Sequence, residues 1–273
     1  MDAPRVDVST PVALPRGTRI VLSPRTDDLP TVSVVIPALN EELTIARCLH
    51  ALSRTPDPPE EIVIVDNGCS DRTVPLARAF DRVRVVQEPR RGITFARSTG
   101  FDAARGDVIA RIDADSEVAP DWLHRIRDRF AHEPDLDAIG GDAAISELSP
   151  GDRLWFRWWY RGFRAWHQRS IGVQPMLYGF NCAFRRTAWE SARHLTGTDD
   201  LRVTDDLDVT IALLRAGHTL RHDPGLLVKA RLFRSIQREK LRQYYLSDGL
   251  TLARHGVGNP QRWVSPLTSG SRT

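Results

Sequence analysis

Asp113 and Asp115 stand one residue apart where an apolar run, Val108, Ile109 and Ile112, gives out; Gly106 precedes the run. The run reads as a short buried strand that ends as the acids begin. In an open parallel sheet the carboxyl ends of the strands face the ligand crevice, so two carboxylates there can share one hard cation, and that cation can hold a diphosphate. An isolated Asp-x-Asp reads first as a solvated acidic loop, so the pair takes its meaning from the rest of the chain. A second acidic pair, Asp205-Asp206, opens a stretch in which Leu207, Ile211 and Leu214 recur at helical spacing. Asp66 ends another apolar run and begins the turn-rich DNGCSD. On its own it reads equally as an acid that caps the turn or the next helix.

These acids need a scaffold, and the flanking pattern supplies one. Val32 to Ile36 is a β-branched run stopped by Pro37, after which Asn40 is expected to cap a helix carrying Ile45, Leu49 and Leu52 on one face. Ile62 to Val65 repeats the arrangement, with a turn at Gly68 and a helix from Asp71 through Leu76 and Phe80. Val83 to Val86 leads through Pro89-Arg90-Arg91-Gly92 into a helix at Ile93 to Ala104, and the fourth run ends at Asp113. Four strands alternating with three helices specify an α/β fold, a parallel sheet with right-handed crossovers. No strand is followed by G-x-G-x-x-G or by a G-x-x-x-x-G-K-[ST] loop, which disfavours nicotinamide and P-loop chemistry. Further on, Trp122 to Phe130 reads as a helix and Ala138 to Ile145 as a strand.

The chain has 273 residues, 41% of them hydrophobic, enough for one large domain with an appendage. Net charge is only +3, and all but Lys229 and Lys240 of the 38 basic residues are arginine. That bias discounts any single arginine as a phosphate ligand, and no nucleic acid partner is indicated. Cys48, Cys69 and Cys182 lack metal-ligand spacing and imply no disulfide framework. The start MDAPRVDVST has acids and prolines where a signal peptide has a basic, then apolar, run, and no window reaches the ~18 apolar residues of a span. The expectation is a cytoplasmic protein.

Residues 153 to 169, RLWFRWWYRGFRAWHQR, are unusual. Leu154, Trp155, Trp158, Trp159, Gly162, Phe163 and Trp166 fall on one helical stripe, with Arg153, Arg157, Arg161 and Arg164 beside or across from it. Indoles at headgroup depth and guanidiniums on lipid phosphates suit a membrane interface, which points to a lipid-linked or membrane-surface partner met at the inner face of the membrane. The alternative is a helix packed on its own domain or on a second copy in a homodimer.

Five stretches in order, VSVVIPALNEE, EIVIVDNGCSDRT, GITFARSTGFDAARGDVIARIDADS, YGFNCAFRRTAWE and TDDLDVTIALLRAGH, give the chain its resemblance to the inverting family 2 glycosyltransferases of the GT-A fold. The resemblance covers roughly residues 31 to 224. It implies a single GT-A domain with a Rossmann-like, mostly parallel sheet at 31–230, divided into a nucleotide-binding half (31–116) and an acceptor half (117–230). A Pro-rich extended lead-in, with one short strand at 18 to 22, would precede it at 1–30, and a helical extension with a loose end would follow at 231–273. The implied activity is transfer of one sugar from a nucleotide-diphosphate sugar donor, assisted by Mg²⁺ or Mn²⁺. By carry-over, Pro37, Ala38, Asn40, Glu41, Asp66, Asn67, Arg97 and Asp113 line the donor pocket, Asp66 reading the base. Asp115, with Asp113, takes the metal. Asp206 is the base and Asp205 its neighbour, while Gly179 and Asn181 approach from the acceptor side, together with Trp155, Trp158 and Trp159. In some related enzymes a downstream histidine completes the metal site, and His222 is the candidate here, a role the family pattern leaves open. The family's Q-x-x-R-W motif is missing, since Gln261-Arg262-Trp263 lacks the spacer, so a non-processive enzyme is expected. A sugar nucleotidyltransferase lacks its glycine-rich loop here, and a non-catalytic nucleotide-sugar binder would have dispensed with the acids.

Overall fold

The computed structural model describes residues 29–145, 150–197, 203–230 and 238–257. Most of the expected lead-in, with its short strand, and the expected loose end, with Gln261-Arg262-Trp263, lie outside the described residues. Strand β1 (Val32–Ala38) runs through the middle of the parallel region, and its period-two alternation divides the core. Val32, Val34 and Ile36 face one layer, helices α1 (Ile45–Ser53) and α4 (Trp122–His132), with Leu49, Leu52, Trp122 and Ile126. Val35, joined by Val63 and Val65 of β2 (Glu61–Asp66), faces the other, made of α3 (Ile93–Ala103), α6 (Arg186–Ala192) and α7 (Asp205–Arg215). Phe101 meets Phe184 and Trp189 edge to face there, with ring centroids 4.9 and 5.0 Å apart. A Cβ on Gly100 would come within 2.4 Å of Val35, so the missing side chain is what lets α3 lie this close to the sheet.

Among the described residues eight strands form one sheet in the order β3-β2-β1-β4-β7-β6-β8-β5. The first four, with β3 at Val83–Gln87 and β4 at Val108–Ile112, are mutually parallel, as the sequence predicts. Beyond β4 the sheet is mixed. β7 (Asn181–Arg185) is antiparallel to both β4 and β6 (Ala138–Ile145), and β8 (Leu220–Ala230) is parallel to β6 and carries the two-residue β5 (Glu117–Val118) antiparallel on its edge. β8 goes unannounced in the sequence because Pro224-Gly225 interrupts it, the interruption matching a register shift between Gly140 and Asp142 of β6.

Two local expectations are corrected. Asn40 does not cap α1: it takes a left-handed conformation (φ 56°), a turn follows, and Thr44 is the N-cap residue. Helix α2 (Thr73–Ala77) also stops before Phe80. α5 (Pro150–Ile171) is longer than the tryptophan-rich stretch, and it packs through Phe156, Tyr160, Arg164 and Gln168, one residue per turn. α8 (Arg238–Arg254) buries Asp248, Thr251 and Leu252, and His255, just past its end, is buried as well.

Candidate active site

The parallel register brings Ala38 beside Asp66, and Ile112 ends β4 on the same side, so the loops after β1, β2 and β4 share one edge of the sheet. Asp113 and Asp115 occupy the tight turn after β4, closed by the Ser116 N–H donating to the Asp113 carbonyl at 3.0 Å. Asp113 is pushed up to about 6, first by its burial and then by the charges of Asp115, Asp205 and Glu41, while Arg111 opposes the rise. The carboxyl is set deep among protein atoms, yet 46% of its side chain faces open space, so solvent tempers the burial and the acidic neighbours are the firmer cause.

Arg111 is the residue that the sequence reading passed over. It lies in β4, two residues before Asp113, only 3% exposed. Its guanidinium reaches Asp205 Oδ2 at 2.5 Å and Asp113 Oδ1 at 3.8 Å, linking the strand-end acid to the first turn of α7. Gly179 makes room for it: a Cβ there would fall 2.6 Å from the guanidinium carbon. The Gly179 N–H also donates to Asp206 Oδ2 at 3.3 Å. Burial, then the Asp205 charge, pushes Asp206 up to about 7 against the pull of Arg111. The signal for Arg111 was its place inside a strand of apolar neighbours, where a buried cation must be paired.

Beside Asp206 lies a polar wall built by α5 and α8. Tyr178 adjoins Gly179, the Arg164 guanidinium lies 5.3 Å over the Tyr178 ring, and His167 reaches the Tyr178 hydroxyl at 3.4 Å and Asp248 at 3.1 Å. The other Asp248 oxygen accepts from Thr204, the α7 N-cap residue, at 2.6 Å. Burial drives the Tyr178 hydroxyl up to about 12, so it stays protonated at neutral pH.

Several carried-over residues have other duties. Arg97 does not line a pocket: it is fully buried, pairs with Asp208 and donates to the Asp205 carbonyl, so it holds α7 from beneath. Asn181 is likewise buried, donating to the Asp142 and Leu226 carbonyls and accepting from Trp122. Asn67 bonds the Glu88 and Arg90 carbonyls and the Gly92 N–H, fixing the β3–α3 loop instead of presenting its amide to a ligand. Asn40 accepts from the Ser70 N–H at 2.8 Å and so ties the β1 loop to the β2 loop. Asp66 Oδ1 accepts from Gly68 and Cys69 in an Asx turn. Pro37 and Ala38 end β1, and Glu41 follows with its carboxylate accepting from Thr44 at 2.8 Å. Trp155, Trp158 and Trp159 lie on the exposed side of α5, opposite its packed stripe. His222 meets the Gly140 carbonyl at 2.9 Å and lies beside Asp142 and Arg164 at 3.3 and 3.1 Å.

The donor set fits a small hard cation. Asp113 is surrounded by acids, with Arg111 the cation that opposes them in its own field. Among the described residues no three His, Cys, Asp or Glu side chains close round one point. Small hard cations such as Mg²⁺ commonly take one or two carboxylates from a protein and their other oxygens from water and phosphate.

Comparison with known proteins gives the family and the fold. The chain is 28% identical over 218 residues, 73% of its length, to a probable glycosyltransferase, YdaM, of Bacillus subtilis. It is 34% identical over 170 residues, 59% of its length, to the undecaprenyl-phosphate 4-deoxy-4-formamido-L-arabinose transferase of Pseudomonas paraeruginosa. It spans about half the length of these relatives, 50% and 48%. Among solved structures, the mannosyltransferase PcManGT of Pyrobaculum calidifontis, in complex with GDP-Man and Mn²⁺, superposes with a TM-score of 0.60 at 20% identity, over 90% of this chain and 77% of that one. Glucosyl-3-phosphoglycerate synthase of Mycobacterium tuberculosis, with Mn²⁺, UDP and phosphoglyceric acid, gives 0.61 at 21% identity, over 84% and 80%. These likenesses are of fold, and the fold is GT-A. Residues 33–191 match Glycosyl transferase family 2, a span running from β1 into α6 and taking in both strand-end acids, and to that family the chain belongs.

Proposed function

We propose that this chain moves one sugar per encounter from a nucleoside-diphosphate sugar to the hydroxyl or phosphate of a lipid-linked acceptor, with inversion at the anomeric carbon. The observation that carries the proposal is the pair of acidic groups, Asp113 with Asp115 and Asp205 with Asp206, held across the end of β4 by the buried Arg111. The first pair suits a donor diphosphate. The second suits an acceptor. The lipid part rests on the exposed tryptophans of α5 and on likeness to a transferase whose name specifies undecaprenyl phosphate.

Asp113 and Asp115 would hold the divalent cation, Mg²⁺ or Mn²⁺, which when bound supplies positive charge to the departing diphosphate. Asp66, at the end of β2, is assigned to the base, through the carboxylate oxygen outside its Asx turn. Asp206, held by the Gly179 N–H, takes the proton of an attacking hydroxyl as its oxygen bonds to the anomeric carbon and the nucleoside diphosphate leaves with the electrons of the broken bond. A carboxylate raised toward neutrality is a stronger base than an ordinary one and is still ionised in part. One displacement from the face opposite the leaving group gives inversion.

The test is thermal unfolding with UDP, GDP, TDP and their sugars, each with and without Mn²⁺, on wild type and Asp115→Asn. A ligand at ~100 times its Kd stabilises by about 2.7 kcal/mol. Mn²⁺-dependent stabilisation by one nucleotide class, lost in the variant, is expected. The proposal fails if no nucleotide stabilises the folded wild type, or if Asp115→Asn keeps the whole Mn²⁺-dependent shift.

A further inference from the structure

Helix α5 presents two faces of opposite character. Phe156, Tyr160, Arg164 and Gln168 are buried against the body, whereas Trp155 and Trp158 are each 70% exposed, Trp166 50%, Trp159 44% and Phe163 37%. At about 200 Å² per aromatic side chain these exposures amount to an apolar patch on the order of 500 Å², the size at which surface patches tend to have a partner. The patch is ordered in advance of contact. Trp159 stacks on Phe163 at 5.6 Å and 11°, Phe163 continues to Trp166 at 6.0 Å, and Trp159 leans on the buried Phe156 at 5.5 Å.

Its chemistry selects among occupants. Aromatics and arginines are enriched in interfaces between proteins as well as at membrane surfaces, so the sign of the charge decides: the sequence from Arg153 to Arg169 holds five arginines and no acid. Arg169 is exposed on this helix and Arg161 partly so, its guanidinium already paired with Asp142 at 3.4 Å, while Arg164 is buried. Two copies would set like charges against one another. Indole rings with a polar edge prefer the headgroup layer of a bilayer, and arginines prefer anionic headgroups. Among the described residues no helix is long and apolar enough to cross a membrane, so α5 would lie in the interface plane.

From this arrangement we infer that the Trp155–Trp166 face of α5 docks on an anionic lipid surface and thereby sets the acceptor side of the site against the bilayer. The inference deepens the proposed transfer and rests on it for the acceptor alone. Phe163 stacks with His167 at 6.1 Å and 4°, His167 meets Tyr178, and Tyr178 adjoins the Gly179 that holds Asp206. About one helix diameter, ~10 Å, therefore separates lipid from the wall beside Asp206. A lipid-borne headgroup could reach that wall without leaving the interface.

The experiment is flotation of the full chain with vesicles of phosphatidylcholine alone and of phosphatidylcholine with 30% phosphatidylglycerol, at low and high salt. It is run on wild type and on Trp155→Ala/Trp158→Ala, with brominated-lipid quenching of tryptophan fluorescence and light scattering. The expected result is binding to the anionic vesicles, weakened by salt, quenched by lipid bromines and reduced at least tenfold in the double variant. The nucleotide-dependent thermal shift should stay as in wild type, which shows that the variant is folded and the donor side intact. Failure of wild type to float with anionic vesicles overturns the inference. So does a concentration-dependent dimer that the double variant dissolves, since the face would then belong to a second copy. Flotation by a protein that takes no nucleotide would uphold the docking face and count against the transfer reading instead.

Discussion

Asp208→Asn tests whether the cluster beneath α7 positions the acids that α7 carries. The Asp208 side chain is fully buried and accepts from Arg97 Nη2, from the Gly197 N–H at 2.9 Å, and from His255 Nε2 at 2.8 Å. Burial works to raise its carboxyl, but the His255 hydrogen bond and the Arg97 charge prevail and hold it below the ordinary carboxylate range. The amide would leave Arg97 as a buried cation with no counterion within the cluster. Both partners have side-chain exposures of 0%, so solvent gives no discount. Removing one partner of such a pair costs about 3–5 kcal/mol, and about 3 is expected here because Arg97 keeps the Asp205 carbonyl as an acceptor. For a chain of this size that corresponds to a fall in Tm of roughly 6–12 °C. Urea unfolding of wild type, Asp208→Asn, Arg97→Met and the double variant closes the cycle, with a coupling of about 1–3 kcal/mol expected. Because the folded carboxyl lies below its unfolded value, its contribution is complete above the unfolded pKa near 4 and is lost as pH falls toward the folded value. The deficit of Asp208→Asn should therefore shrink in acid. A cost under about 1 kcal/mol, or coupling under about 0.5, would refute the reasoning.

Gly179→Ala should push the Arg111 guanidinium off Asp205, since the new Cβ would lie 2.6–2.8 Å from its atoms; a loss of about 1–3 kcal/mol by thermal unfolding is expected, and an unchanged Tm would mean that Arg111 moves freely. With a hydroxyl acceptor, Asp206→Asn should lower kcat by about 10² or more while nucleotide affinity by titration stays as in wild type. A loss under tenfold would mean that the attacking oxygen arrives already ionised. As the base must be deprotonated and its pKa is raised to about 7, wild-type kcat should climb through neutral pH and level off above it, and a rate flat from pH 5 to 8 would remove Asp206 from that role.

The strand-end acids were legible because their signals are local: an apolar run, a stop and an acid place Asp113 and Asp115 without reference to distant residues. The same locality gave α7 its start at Thr204-Asp205 and β6 its bounds. In the sequence Arg97, Asn67 and Asn181 look like ligand contacts because each is a polar side chain near a pocket motif, and sequence does not show which polar groups the fold itself consumes. In each case a partner from a distant segment takes the group: Asp208 for Arg97, the Gly92 loop for Asn67, Trp122 and Leu226 for Asn181. Burial of these groups could still have been inferred. Arg111 lies between apolar strand residues, and Asp208 lies between Leu207 and Val209 on a helix whose sides are nearly all covered. A charge at such a position must find a counterion. Pairing the two improbable arginines, Arg97 and Arg111, with the surplus acids of DDLD is the step the sequence permitted: three acids in one helical turn ask for buried cations, and both arginines end beneath that turn. On this argument the helix that carries Asp206 is held by charge from two sides, so a substitution at either arginine should disturb the acceptor side before it disturbs the nucleotide.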